Sequence, residues 1–336
     1  MRRGAPAAHR VYGMPLTLNC ANQVYFIAMQ KVLSLPAVAL SAAASSVSAS
    51  ASSSSSSSAA AAFEYYRDHL ATITMNLSSD FAEEMICLHE GQGMDILWRD
   101  THRCPSMAEY DLMVLKKTGG LFRLALRLMM TLAVPKRTGV SASSSDSSSA
   151  VAETNTVADA VTSDRLSEAK APKTVAVVSD DVAADAPQPH VPVVASIVDP
   201  LSVERREKYV GLVETIGVFF QTLDDYLNVS CEAYHQSKSY CEDLTEGKFS
   251  YPIIHSILAS GPHDQRLFHL LKQRPTDIPV KQYCVKLMEE TGSLEATRVR
   301  VEVLRQEVYG LLGAIGGSPM IDECMQKMCK LMGVRA

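Results

Sequence analysis

Ile216-Gly-Val-Phe-Phe-Gln-Thr-Leu-Asp-Asp-Tyr-Leu-Asn-Val229 is the stretch on which the reading of this chain turns. Val218, Phe219, Phe220, Leu223, Tyr226, Leu227 and Val229 place apolar side chains on every side of a helix, the pattern of a helix enclosed by others. Within it stand two adjacent carboxylates, Asp224 and Asp225. Burying like charges without compensation costs roughly several kcal/mol per ion, so the pair calls for cations or a wet cleft. Gln221, Asp224, Asp225 and Asn228 recur three and four residues apart, which stacks their oxygens along one helical stripe. Hard oxygen donors of this kind suit Mg²⁺, which takes one or two protein carboxylates and completes its shell with water and phosphate oxygens. A solvated acidic edge is the competing reading of a bare D-D-x-x-N, and the apolar surroundings favour a metal–diphosphate site. Lys238 and Lys248 follow, flexible point charges that can grip phosphate, although either alone would pass for a surface lysine.

Outward from this segment the chain reads as helical. Periodicity predicts a long helix over 203–234 and further helices over 251–260, 264–273, 280–291, 294–312 and 320–331. Asp80 with Glu83, and Ser106 with Glu109, have capping-box spacing and are expected to open helices. No stretch alternates convincingly between turn residues, so strands are not expected and the fold class is all-α. Two stretches interrupt the pattern. Residues 41–62 are almost pure Ser and Ala, and residues 135–199 are rich in Ser, Ala, Val and Pro without periodicity. Both are expected to be disordered insertions in a single helical domain made of 1–40, 63–134 and 200–336.

Composition narrows the function. The net charge of −5, with 32 basic and 37 acidic residues, gives no case for nucleic-acid binding. Eight cysteines lie scattered without a C-x-x-C pair or a His cluster, so they read as reduced thiols of a reducing compartment rather than a zinc site. The apolar run 24–40 is broken by Gln30, Lys31 and Pro36, and no stable membrane span is expected. The first 63 residues lack Asp and Glu, as an organelle transit peptide would. The favoured reading is nonetheless folded enzyme followed by a low-complexity insertion.

Several segments in order resemble the eukaryotic geranylgeranyl diphosphate synthases. They are Leu88-His-Glu-Gly-Gln-Gly-Met-Asp-Ile-Leu-Trp-Arg-Asp100, Val114-Leu-Lys-Lys-Thr-Gly-Gly-Leu-Phe122, Phe219-Phe-Gln-Thr-Leu-Asp-Asp-Tyr-Leu-Asn228 and Cys241-Glu-Asp-Leu-Thr-Glu-Gly-Lys-Phe-Ser-Tyr-Pro252. The start, Arg2-Arg-Gly-Ala-Pro-Ala-Ala-His-Arg-Val-Tyr-Gly13, is similar as well. The resemblance implies an isoprenoid-synthase helical bundle that condenses isopentenyl diphosphate with an allylic diphosphate. It implies Mg²⁺ as cofactor, held by Asp224, Asp225 and Asn228, the second aspartate-rich motif of the family. Lys117, Thr118, Gln221, Lys238, Lys248 and Arg2 fall on allylic-diphosphate positions, and Arg3 on one contacting isopentenyl diphosphate. Asp224, Asp225, Lys117 and Lys238 are thereby the expected catalytic set. Asp243 falls near the metal cluster. Tyr25, Phe26 and His89 match positions walling the deep end of the chain-length pocket, and a core-packing role suits them equally. A homo-oligomer in the cytoplasm is expected, with mitochondrion or plastid as alternatives.

One departure stands out. The family carries a first D-D-x-x-D a few residues before the paired arginines, whereas here Met1 directly precedes Arg2. The leading expectation is an incomplete gene model of an active enzyme. The alternatives are an inactive isoform that binds and regulates a complete prenyltransferase, or a chain that borrows ligands from another. A terpene cyclase shares the fold, and Asp224, Asp225, Asn228 and Glu232 approach its metal spacing. The segments Lys117-Thr-Gly-Gly120 and Glu246-Gly-Lys248 favour chain elongation.

Overall fold

The computed structural model describes residues 6–49, 56–134, 203–230 and 240–330. By its contacts the chain divides into residues 1–135 with 198–336 and a second unit, 136–197; the latter, with the whole of the expected insertion 135–199, lies outside the described residues. Among the described residues there is no strand, in agreement with the all-α reading. A short α1 (Ala8–Tyr12) leads into two long helices, α2 (Met14–Ala49) and α3 (Ser56–Thr101). After α4 (Met107–Val114) come a π turn (Leu115–Gly119) and α5 (Gly120–Leu132). The acidic helix is α6 (Val203–Ser230), followed by α7 (Glu242–Glu246), α8 (Tyr251–Ser260), α9 (Arg266–Lys272), α10 (Ile278–Glu290), α11 (Ser293–Ala314) and α12 (Pro319–Lys330).

The Ser/Ala tract departs from expectation. Residues 41–49 continue α2 and residues 56–62 begin α3, so the part of the tract within the described residues is helical. Alanine is the best helix former, and its small side chain costs no rotamer entropy. The serines turn their hydroxyls back onto the helix, Ser45 donating to the Ser41 carbonyl at 3.0 Å and Ser46 to that of Ala42 at 2.9 Å. Low complexity removes packing information without removing helix propensity. The box expected at Asp80 fails for a related reason. α3 runs through it unbroken, and the Asp80 carboxylate instead accepts from Thr131 Oγ1 at 2.9 Å. The box at Ser106 forms, with Ser106 Oγ accepting from the Glu109 amide and Glu109 accepting from the Ser106 amide.

α2 also continues through Pro36. Its residues Met14–Ser48 are long and apolar enough to cross a bilayer, with a mean hydropathy of 1.5 in the most apolar window and 11% of that window buried. Length and composition describe an edge helix of a bundle equally well, and α2 packs along α3, the most extensive helix pairing among the described residues. The seven cysteines among the described residues are free. Burial pushes the thiols of Cys104, Cys241 and Cys284 up to about 11, which leaves them protonated and unreactive.

α6 occupies the centre, packed against α11, α5 and α8. Phe219, Leu223, Leu227 and Val229 are buried with Trp98, Tyr110, Ile253 and Ile254 in one core. The expectation of a helix enclosed on every side holds for Val218, Phe219, Leu223, Leu227 and Val229, while Tyr226 is half-buried and Phe220 is exposed, its ring edge-on to that of Phe122 at 6.4 Å.

Candidate active site

Three helices approach one another at glycines near the centre of the bundle. A Cβ on Gly91 of α3 would lie 2.6 Å from the Lys117 amide nitrogen and 2.9 Å from the Met113 carbonyl oxygen. A Cβ on Gly217 of α6 would lie 3.0 Å from Gly119 Cα. These contacts are with backbone, which cannot step aside, so only glycine permits the crossing. The π turn at the crossing sends three successive side chains to three partners. Lys116 Nζ donates to Glu90 at 2.6 Å, Lys117 Nζ to Asp95 at 2.6 Å, and Thr118 Oγ1 to Gln221 Oε1 at 3.0 Å. Such widened turns recur at functional sites because they redirect side chains within a continuous helix.

Asp224 and Asp225 have different surroundings. Asp225 is 0% exposed and accepts four hydrogen bonds: from Tyr110 Oη at 2.7 Å, the Tyr251 amide at 2.9 Å, Lys248 Nζ at 2.8 Å and Gln221 Nε2 at 2.9 Å. It thus caps the start of α8 and holds Lys248 in place. With both oxygens engaged, Asp225 supports the site from behind rather than lining it, which departs from its expected place as a metal ligand. The reason is rotational, because residue 225 falls on the inner edge of the stripe that residues 221, 224 and 228 define. Desolvation and the Asp225 charge drive the Tyr110 hydroxyl well above its ordinary range, so it remains a donor. Burial works against the charge of Lys248, but Asp225 and Asp243 outweigh it and keep the ammonium protonated.

A cleft of about 530 Å³ opens at this end of α6. Gln221, Asp224, Asn228, Lys117 and Lys248 line it, with Gln92, Asp95, Arg99, Glu242, Asp243, Glu246 and the α1 residue His9. The Asn228 side-chain oxygen accepts from the Asp243 amide at 3.3 Å. Burial raises the Asp243 carboxyl; Lys248 opposes the shift, and Asp225 and Asp224 add to it. Hard oxygens at Asp224, Asp243 and Glu246 fit a Mg²⁺ that keeps most of its water. No three metal-ligating side chains among the described residues already converge on one point.

Other expected positions divide. Arg2, Arg3 and Lys238 lie outside the described residues. Tyr25 Oη lies 3.1 Å from His89 Nε2, and His89 Nδ1 donates to the Met85 carbonyl at 2.7 Å. Phe26 does not join them as a wall. It is 72% exposed, because neighbouring residues on α2 point about 100° apart. Asp95 went unread in the sequence, although Gln92, Asp95 and Arg99 form a polar stripe at helical spacing. Tyr110 was also missed as a site residue, since a tyrosine in an apolar pattern reads simply as core.

The sequence profile of the family described as polyprenyl synthetase matches residues 1–146 and 191–288. The chain belongs to that family. It is 31% identical over 328 residues to a geranylgeranyl pyrophosphate synthase of Dictyostelium discoideum, covering 98% of this chain and 73% of the relative. A protein of Matsumurasca onukii named terpene synthase is 30% identical over the same length, again covering 98% of this chain and 73% of the relative. The crystal structure of a decaprenyl diphosphate synthase from Rhodobacter capsulatus superposes with a TM-score of 0.51 at 12% identity, covering 93% of this chain and 80% of that one, and agrees with the fold. Membership in the polyprenyl synthetase family makes the chain a prenyltransferase, and the inactive-subunit alternative is not favoured.

Proposed function

We propose that the chain condenses isopentenyl diphosphate with an allylic diphosphate in the manner of a geranylgeranyl diphosphate synthase. The observation that carries this reading is the charge of the cleft. Asp95, Asp224, Glu242, Asp243 and Glu246 face Arg99, Lys117 and Lys248, so the carboxylates exceed the fixed cations. An anionic diphosphate is admitted to such a surface only with divalent cations, and Asp224 and Asp243, with Glu246 beside them, are the groups that would hold Mg²⁺. When bound, Mg²⁺ stabilises the charge that develops on the departing pyrophosphate.

The chain's own groups supply the rest. Lys117 and Lys248 bind phosphate oxygens as point charges, each already held at the cleft wall by a carboxylate. The packed interior of α6, α8 and α11 behind them excludes water, which would otherwise capture an allylic cation. A second copy of this chain is the partner we assign to the apolar surface of α1 and α2, supported by the exposure of Tyr12, Leu18, Val24 and Phe26. We assign the cytoplasm as compartment, a reading that the free thiols support.

The decisive assay supplies labelled isopentenyl diphosphate with dimethylallyl, geranyl or farnesyl diphosphate. Expected are products lengthened by five carbons, formed with Mg²⁺ and lost on chelation. Failure of the native full-length protein to extend any of the three would refute the reading. A cyclic hydrocarbon from geranylgeranyl diphosphate alone would replace it with terpene cyclisation.

A further inference from the structure

Arg123 lies outside the cleft, one helical turn beyond the π turn, with its side chain 12% exposed. Its guanidinium is nonetheless heavily engaged in the bundle interior. Nε donates to both oxygens of Glu84 at 3.1–3.2 Å, and Nη2 lies 3.0 Å from Glu84 Oε2. Nη1 donates to Glu214 Oε1 of α6 at 3.0 Å and to the Leu115 carbonyl at 3.0 Å. Nη2 also lies 3.2 Å from Cys87 Sγ. Leu115 is the first residue of the π turn. One planar side chain therefore joins α3, α6 and the backbone at the point where the helix widens. A buried charge that satisfies so many acceptors calls for a role of its own.

We propose that Arg123 is a positioning residue, fastening the π turn to Glu84 and Glu214 and so fixing the direction in which Lys117 and Thr118 leave the helix. Widened helical turns have longer, weaker hydrogen-bond paths, and an external donor on the first carbonyl restrains the one at 115–119. The fork of Arg123 serves Glu84, Glu214 and Leu115 together. A lysine has a single ammonium at the end of a flexible stem and cannot span the three. The expected effect on ligand binding rests on the diphosphate reading above, whereas the fastening of the turn does not.

Arg123→Lys retains the charge and removes the fork. Glu214→Gln loosens one arm and leaves the Glu84 pair intact, which covers the case in which the lysine variant fails to fold. Hydrogen exchange of peptides spanning 115–120 in the full chain reads the turn, and calorimetry with Mg²⁺ and inorganic pyrophosphate reads the site. In Arg123→Lys, exchange in the turn should rise about tenfold while α8 and α11 stay unchanged. Pyrophosphate affinity should fall about tenfold, as when a supporting partner of a site is lost. Glu214→Gln should shift both readings in the same direction by about threefold. Unchanged exchange in the turn in both variants, or a rise spread evenly through every helix, overturns the proposal. If the turn responds as stated but the unaltered protein binds no pyrophosphate, the positioning role stands and the diphosphate reading falls.

Discussion

Along α6, the face that meets the cleft and the edge that meets the bundle use the same chemical group for different ends. Asp224 stands half-buried at the cleft, while Asp225, one residue on, is enclosed and accepts from Tyr110, Tyr251, Gln221 and Lys248. One carboxylate is placed to meet a ligand; the other holds the groups that do. The acidic pair is thus a division of labour set by helical rotation, and activity and stability should separate between the two positions.

That separation can be broken by measurement. Asp225→Ala leaves the Lys248 charge and the Tyr110 hydroxyl buried without their main partner, and should destabilise the fold by about 3–5 kcal/mol. Urea unfolding would measure it, and an unchanged midpoint would show that Asp225 is no keystone. Asp224→Asn keeps the shape and should leave that midpoint alone while lowering turnover by about 10²–10³-fold. If Asp224→Asn instead lowers stability as Asp225→Ala does, the two faces are not distinct. A smaller effect is expected from Gly91→Ala. The added methyl would meet the Lys117 amide and the Met113 carbonyl, costing about 1–3 kcal/mol despite the better helix propensity of alanine.

The mildest test lies at α4, where the Glu109 carboxylate serves a helix end and pairs with Arg103. Arg103, and then the Ser106 amide, hold Glu109 down to about 2. A folded-state value below the ordinary carboxylate range adds stability above that range, lost as pH falls from about 4.5 toward about 2. Glu109→Gln should flatten this part of the stability–pH curve, and Ser106→Ala should cost about 1 kcal/mol at neutral pH. A curve unchanged by Glu109→Gln would locate the acid sensitivity elsewhere.

What the sequence conveyed, and what it did not, follows from how local each signal is. Helix periodicity and the Ser106 box are local, and α8, α10, α11 and α12 lie within about two residues of their expected bounds. The lining of the cleft by Asp224, Lys117, Gln221 and Lys248 was likewise readable, because order and spacing of motifs carry it. The enclosure of Asp225 was not readable, since its donors come from residues 110, 248 and 251 as well as from its own helix. Asp95 and Arg123 escaped for the same reason, each being defined by partners on other helices. The Ser/Ala tract was misread in the opposite direction. Its composition speaks to packing, whereas alanine's intrinsic propensity decides whether it is helical.

α4, the π turn and α5 run on without a break, yet the turn holds one residue more than an α-helix would. The two halves of this rod are therefore out of phase by about 100°. Chain length here is not interchangeable. Deleting any one residue between 115 and 119 would restore a uniform helix and rotate everything after it, swinging Arg123 away from Glu84 and Glu214 even though none of those three residues had been altered. A bundle that accommodates a long Ser/Ala tract between residues 41 and 62 is, at this turn, a device that counts single residues.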